Sequence, residues 1–333
     1  MPLCAAAIDL GSLAVRLHIA QAPGKGRAKS TGAGFRAPFR SLHEERRISR
    51  LAENLEPGED LSPEGQGRVL AILREFRAVI ERFGVEPGLT RVVATEALRK
   101  ARNGSDFARR IRTETGLSAL ILSPEEEARW TARGALLCGA AHRWPLLVGD
   151  PGGGSLEVVW IEGEGLELRH GSEPLGVLDL LRRFPLGAPA APGALAELES
   201  AAQATIERLL RRVRPPGKST GEGVGSLLVT GGTALNLGAI SRKTAPHHVR
   251  AFFHSDVSRH ELEKIYRRIA SLDLEGRREE RCLERGREDV IVPGLAVLRG
   301  LVLASGVGSL TVTHLGLREG ILDALLRGKE TPG

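Results

Sequence analysis

Val15, Leu17 and Ile19 alternate with Arg16 and His18, the two-residue period of a strand with one face towards a core and one towards water. The run AAAI precedes it and DLGS lies between, so Ala5 to Ala20 predicts a hairpin that bends at Gly11. Leu146 to Ile161 repeats the scheme. An apolar strand closes on Asp150, glycines fill 152 to 154, Ser155 follows, and a second strand runs through Val158, Val159 and Ile161. Two hairpins of one design predict an internal structural repeat.

Elsewhere the period becomes helical. Val69, Ile72, Leu73, Phe76, Val79, Ile80 and Phe83 stand three or four apart, which puts them on one face of a helix that Ser62 and Pro63 start and Gly84 ends. TRVVAT from Thr90 is a buried strand, and a helix opens near Ser105. ALILSPEEEARWTARGALL passes from a strand into a helix capped by Ser123. Pro/Gly loops at Pro185 and Arg214 flank a helix around Glu197 to Val213. SLLVTGGTALNLGAI from Ser226 reads as strand, glycine turn and helix, and the chain closes on helix, strand and terminal helix. The charge-dense LEGRREERCLERGRED from Leu274 reads as a solvated face. Strands alternating with helices predict an α/β fold.

Length divides this α/β chain. At 333 residues it exceeds a comfortable single core and predicts two domains. Composition, 41% apolar and 26% charged, is that of a globular protein. MPLCAAAIDLGSLAV has no basic leader and carries Asp9 within its apolar run, so neither a signal peptide nor a membrane helix is expected. Cys4, Cys138 and Cys282 lack metal-ligand spacing and agree with a reducing cytoplasm. The net charge of +6, mostly arginine, favours a polyanionic ligand only weakly, because arginine richness also follows genome composition. Aromatics at 4% argue against stacked single-stranded nucleic acid, and no specific nucleic-acid partner is expected. The basic segment Lys25 to Arg50 is read as a solvated edge.

Candidate chemistry lies in the glycine turns near Asp9, Asp150 and Gly231. Each follows an apolar strand and can offer backbone amides to an anion, and the third opens a helix whose dipole favours phosphate, with Thr233 placed to cap it. A tight bend without a ligand explains any single turn equally well. Asp9 and Asp150 either bond their own turn amides or share a magnesium ion with phosphate oxygens; their matched placement leans towards the metal. Glu125, Glu126 and Glu127 fit acids in a helix first turn, with Ser123 and Glu126 as a capping box. PPGKST lacks the first glycine of a phosphate-binding P-loop, Arg212 standing there, and His247 with His248 lacks further ligands.

Taken in order, AAAIDLGSLAVRLHIA, RLAENLEPGEDLSPEG, RVVATEALRKARN, ILSPEEEAR, LLVGDPGGGSLEVVW, PLGVLDLLRRF, LLVTGGTALNLGAI, DVIVPGLAVL and LTVTHLGLREGIL resemble the exopolyphosphatase/guanosine pentaphosphate phosphatase (Ppx/GppA) family, in its short two-domain form. The resemblance implies two actin-like (ribonuclease H-like) domains with an interdomain cleft, residues 1–123 plus 311–333 and residues 124–310. It implies phosphate contacts at Asp9, Gly11 and Ser12, at Gly152, Gly153, Gly154 and Ser155, and at Gly231, Gly232 and Thr233. It further implies Mg2+, or another divalent cation, at Asp150 and Glu157 with Asp9. Glu127 matches the carboxylate that activates water, and Arg99 an arginine that steadies phosphate charge. Leu13, Ala14 and Leu156 depart from the family pattern at positions where hydroxyl or amide side chains are usual, and Pro151 where an aliphatic one is.

The expected function is hydrolysis of terminal phosphates from inorganic polyphosphate or guanosine pentaphosphate. The alternatives are a sensor that binds polyphosphate or an alarmone without turnover, or an actin-like ATPase. The oligomeric state is left open, a homodimer included.

Overall fold

The computed structural model describes residues 3–23, 30–31, 35–36, 39–53, 55–163, 168–216, 223–245 and 254–331. Gly217–Ser219 and the His247/His248 pair lie outside them, as does much of the basic segment 25–50. The chain divides into two compact units, residues 1–139 with 315–333 and residues 140–314.

In unit 1, β1 (Cys4–Leu10) and β2 (Ala14–Gln21) form the first hairpin, followed by the short β3 (Ser30–Thr31) and β4 (Phe35–Arg36), and by β5 (Arg40–Ile48). Then come α1 (Pro63–Arg82), β6 (Thr90–Ala94), α2 (Glu96–Lys100), α3 (Gly104–Thr115), β7 (Ala119–Ile121) and α4 (Pro124–Leu136). The sheet order is β5-β2-β1-β6-β7, with β6 and β7 parallel to β1. One face packs on α1 and α3 through Phe76, Ile80, Phe107 and Ile111. Burial of each such side chain contributes about 1.5–3 kcal/mol. α1 starts where expected: the Ser62 hydroxyl accepts from the Gly65 amide at 3.1 Å, and Gly84 follows the last turn with φ +64°.

Unit 2 contains β8 (Leu146–Pro151), β9 (Leu156–Ile161), β10 (Leu168–Glu173), α5 (Val177–Arg183), α6 (Pro192–Val213), β11 (Ser226–Val229) and α7 (Gly231–Ser241). It continues with β12 (His254–Ser258), α8 (Arg259–Ala270), α9 (Leu274–Glu279), α10 (Ile291–Ser305) and β13 (Ser309–Thr313). α11 (Leu317–Leu326) returns to unit 1. The order β10-β9-β8-β11-β13 reproduces that of unit 1 strand for strand, with β12 added antiparallel at the edge. The predicted repeat is therefore a repeat of whole sheets.

Four expectations need correction. The expected boundaries, 123/124 and 310/311, differ from those observed: α4 packs on α11 and so belongs with unit 1, while β13 hydrogen-bonds to β11 and so stays in unit 2. α6 begins five residues before Glu197, at Pro192, because proline is admitted in a helix first turn. His18 is on the polar register of β2 yet is fully buried beside Phe39, because α11 covers that face. The charge run is not simply a solvated face either. Arg277 and Arg287 are buried, and Arg277 donates to the carbonyls of Ile269 and Glu288 at 3.1 Å each, which closes the loop back onto α8. No helix among the described residues is long and apolar enough to cross a membrane.

Candidate active site

The two hairpin turns have one hydrogen-bond plan. In unit 1 the Gly11 amide donates to the Ala14 carbonyl at 3.1 Å, and the carbonyls of Ser12 and Leu13 accept from Ala52, Ser49 and Arg50. In unit 2 the Gly152 amide donates to the Ser155 carbonyl at 2.8 Å. There the carbonyls of Gly152, Gly153 and Gly154 accept from Val177, Leu178 and Gly176 at the start of α5. The chain thus engages the turn carbonyls, while the amides of Ser12, Leu13, Gly153 and Gly154 make no hydrogen bond among the described residues. Successive unengaged amides form an anion-binding concavity. Gly176 is glycine for a steric reason, since a Cβ there would overlap the Gly154 backbone.

Register gives the two aspartates different partners. Asp9 faces Arg16 across β1 and β2, with the guanidinium 3.8 Å from its carboxylate. Burial pushes the Asp9 carboxyl above its ordinary range, opposed by Arg16, Arg318 and Arg46 and reinforced by Glu319. Asp150 instead faces Glu157 across β8 and β9. Glu157 is 5% exposed, and one of its oxygens accepts from the Ser155 hydroxyl and from Ser172 Oγ at 3.0 Å. Cross-strand register brings these two carboxyl groups to the same end of the hairpin, where oxygen ligands can converge on a cation. The donor set of Asp150, Glu157 and Ser155 is all oxygen, which suits a hard divalent ion.

The third turn meets the second. Gly231 has φ +87°, and a Cβ on it would overlap Asp150 Oδ1, so only glycine lets α7 begin beside that carboxylate. Thr233, expected as a cap, makes no capping bond. It is 0% exposed, and its Oγ1 has no hydrogen-bond partner among the described residues. Gly294 on α10 leaves the room, since a Cβ there would lie 2.5 Å from Thr233 Oγ1.

Position sorts the three consecutive glutamates of α4. Glu125 is exposed. Glu126 closes the capping box, accepting from the Ser123 amide at 2.8 Å while its own amide donates to Ser123 Oγ at 3.1 Å. Glu127 is buried, and Arg99 Nη1 donates to its Oε2 at 2.7 Å and to the Leu122 carbonyl at 2.8 Å. Arg99 and Glu127 are therefore brought together, which the capping pattern alone did not reveal.

Among the described residues one further group has metal-ligand spacing: His18, Glu44 and Glu319. Its atoms are engaged with one another. His18 Nδ1 lies 2.8 Å from Glu319 Oε1 and His18 Nε2 lies 3.0 Å from Ser41 Oγ, while Arg318 approaches the same Glu319 oxygen at 3.2 Å. A guanidinium on the shared oxygen opposes a cation there. Sequence reading also missed Arg16, Ser172, Gly176 and Asn236, whose importance lies in pairings that sequence spacing does not show.

Residues 28–328 match the Ppx/GppA phosphatase family. The chain belongs to that family. It is 28% identical over 329 residues, 95% of this chain and 96% of the relative, to Exopolyphosphatase 2 of Mycobacterium tuberculosis. The crystal structure of the Aquifex aeolicus member of the Ppx/GppA family superposes with TM-score 0.77 at 25% identity, covering 99% of this chain and 100% of that one. An exopolyphosphatase from Cytophaga hutchinsonii shares the fold with TM-score 0.80 at 19% identity, over 98% and 99% of the two chains. The fold is thus the actin-like fold of Ppx/GppA proteins, and the chain belongs among phosphatase-type hydrolases.

Proposed function

We propose that the protein removes terminal orthophosphate from a linear phosphoanhydride, inorganic polyphosphate or guanosine pentaphosphate. The observation that carries this reading is the turn at 152–154, whose carbonyls are all engaged by α5 and whose Gly153 and Gly154 amides are left for an anion beside Asp150 and Glu157. Ser12 and Gly11 supply the corresponding turn of unit 1, and Gly231, Gly232 and the unpartnered Thr233 hydroxyl supply the third.

Asp150 and Glu157 would hold a divalent ion such as Mg2+. Asp9 instead has the Arg16 guanidinium beside it. When bound, the ion would neutralise phosphate oxygens. Glu127 takes the proton of the attacking water; a bond forms from that oxygen to the terminal phosphorus as the bridging P–O bond breaks, giving orthophosphate and a chain shorter by one phosphate. Arg99, bonded to Glu127 Oε2, orients that carboxylate and supplies positive charge to the transferred phosphoryl group.

The sensor alternative drew on Leu13, Ala14 and Leu156. All three side chains are buried, and the unengaged amides of the turns are backbone groups that these apolar replacements leave in place. The hydrolase reading keeps the stronger support.

The test is phosphate release from medium-chain polyphosphate and from guanosine pentaphosphate with Mg2+, for the wild type and Glu127→Gln. Loss of about 10²–10⁴-fold in kcat with calorimetric affinity retained is the expected result. Absence of release from both substrates by the wild type would overturn the hydrolase.

A further inference from the structure

α7 is apolar on nearly every side, and all its residues from Gly231 to Ile240 except Leu235 are buried. One amide stands inside this helix, Asn236, at 0% exposure. A buried amide must have partners or it destabilises the fold, and the partners of Asn236 lie at opposite ends of a mechanical path. Its Nδ2 donates to the Gly232 carbonyl at 2.8 Å, inside the third glycine turn. Its Oδ1 accepts from the Glu284 amide at 2.7 Å, in the loop before α10.

That loop is well anchored. Leu283 is buried in the unit 2 core, Arg287 is buried and pairs with Glu284 at 3.3 Å, and the Arg287 carbonyl accepts from Ile291 at the start of α10. α10 in turn carries Gly294, the residue that makes room for Thr233. Asn236 thus joins the turn to the loop, and the path returns to the turn through α10. The charge run from Leu274, read from sequence as solvated, ends in this loop.

We propose that Asn236 is a positioning residue that sets the third turn for phosphate and couples its occupancy to the loop 283–288. The proposal rests on the reading that this turn takes phosphate. Pulling on the Gly232 carbonyl orients the adjoining peptide units, whose amides point the other way, and the Glu284 amide fixes the asparagine rotamer that does so. Asparagine suits the place because one side chain must donate at one end and accept at the other. Aspartate of the same shape keeps the acceptor for Glu284 and sets an oxygen against the Gly232 carbonyl.

The experiment is titration of the full chain with tripolyphosphate and Mg2+ by calorimetry, for the wild type, Asn236→Asp and Asn236→Ala, alongside KM and kcat for polyphosphate. About tenfold weaker binding in Asn236→Asp, appearing in KM with kcat within about threefold, is the expected result. Wild-type affinity in a folded Asn236→Asp variant would overturn the proposal. Amide hydrogen exchange of the wild type needs no variant. Tripolyphosphate should slow exchange at Gly232–Ala234 and at Glu284 together, and protection of the turn with Glu284 unchanged would refute the coupling. Binding is read separately from turnover, so a chain that binds without hydrolysing would refute the proposed function and leave this test intact.

Discussion

Asp9 and Asp150 hold the same place in two hairpins, yet the residue across the ladder separates their chemistry. Arg16, a cation, stands opposite Asp9, whereas a second carboxyl group, Glu157, stands opposite Asp150. Burial first of all holds the Asp9 carboxyl above the ordinary carboxylate range. A raised carboxyl contributes stability that is fully present below the unfolded value and is lost as pH rises through the folded one. Asp9→Asn is therefore expected to be more stable than the wild type at neutral pH, with the gain shrinking as pH falls into the carboxylate range. Urea midpoints across that range check it; a gain independent of pH would assign the effect to something other than titration. The sequence named both aspartates, Glu157 and Glu127, but that Arg16 stands opposite one aspartate and Glu157 opposite the other follows only from strand register.

At the scale of elements, α4 places Glu127, and its seat on α11 is made by absent side chains. A Cβ on Gly134 would overlap the Gly316 carbonyl, and one on Gly320 would overlap the Trp130 carbonyl. Arg133 bonds Asp323 at 3.0 Å across the same contact. Gly134→Val should force the helices apart at a cost of about 1–3 kcal/mol and lower kcat by displacing Glu127, measured by denaturant unfolding and phosphate release. Activity at the wild-type level in a destabilised variant would show that Glu127 is placed by the Arg99 contact alone. The helix itself was legible from Ser123, Pro124 and Glu126, since capping is local chemistry. Its partner, nearly two hundred residues away, was not.

The whole molecule is one plan used twice, and its parts are not equivalent. Residues 140–314 form a continuous unit with its own core and hold Asp150, Glu157 and two of the three turns. Produced alone, this unit should unfold cooperatively and bind tripolyphosphate with a divalent ion, yet release no phosphate, because Glu127 and Arg99 belong to unit 1. Circular dichroism melts with calorimetry and phosphate assay check it; release by the isolated unit would remove Glu127 from the mechanism. By itself the sequence determined the α/β class, the duplicated hairpins, the glycine turns and the carboxylates at strand ends, because periodicity, capping and glycine placement are written within a few residues. Only the tertiary structure decided where the units divide, which turn amides stay unengaged, why Gly231 must be glycine, and that His18, Arg277 and Arg287 are buried. Those outcomes depend on which distant backbone approaches each residue, and that follows from packing and register, not from local pattern.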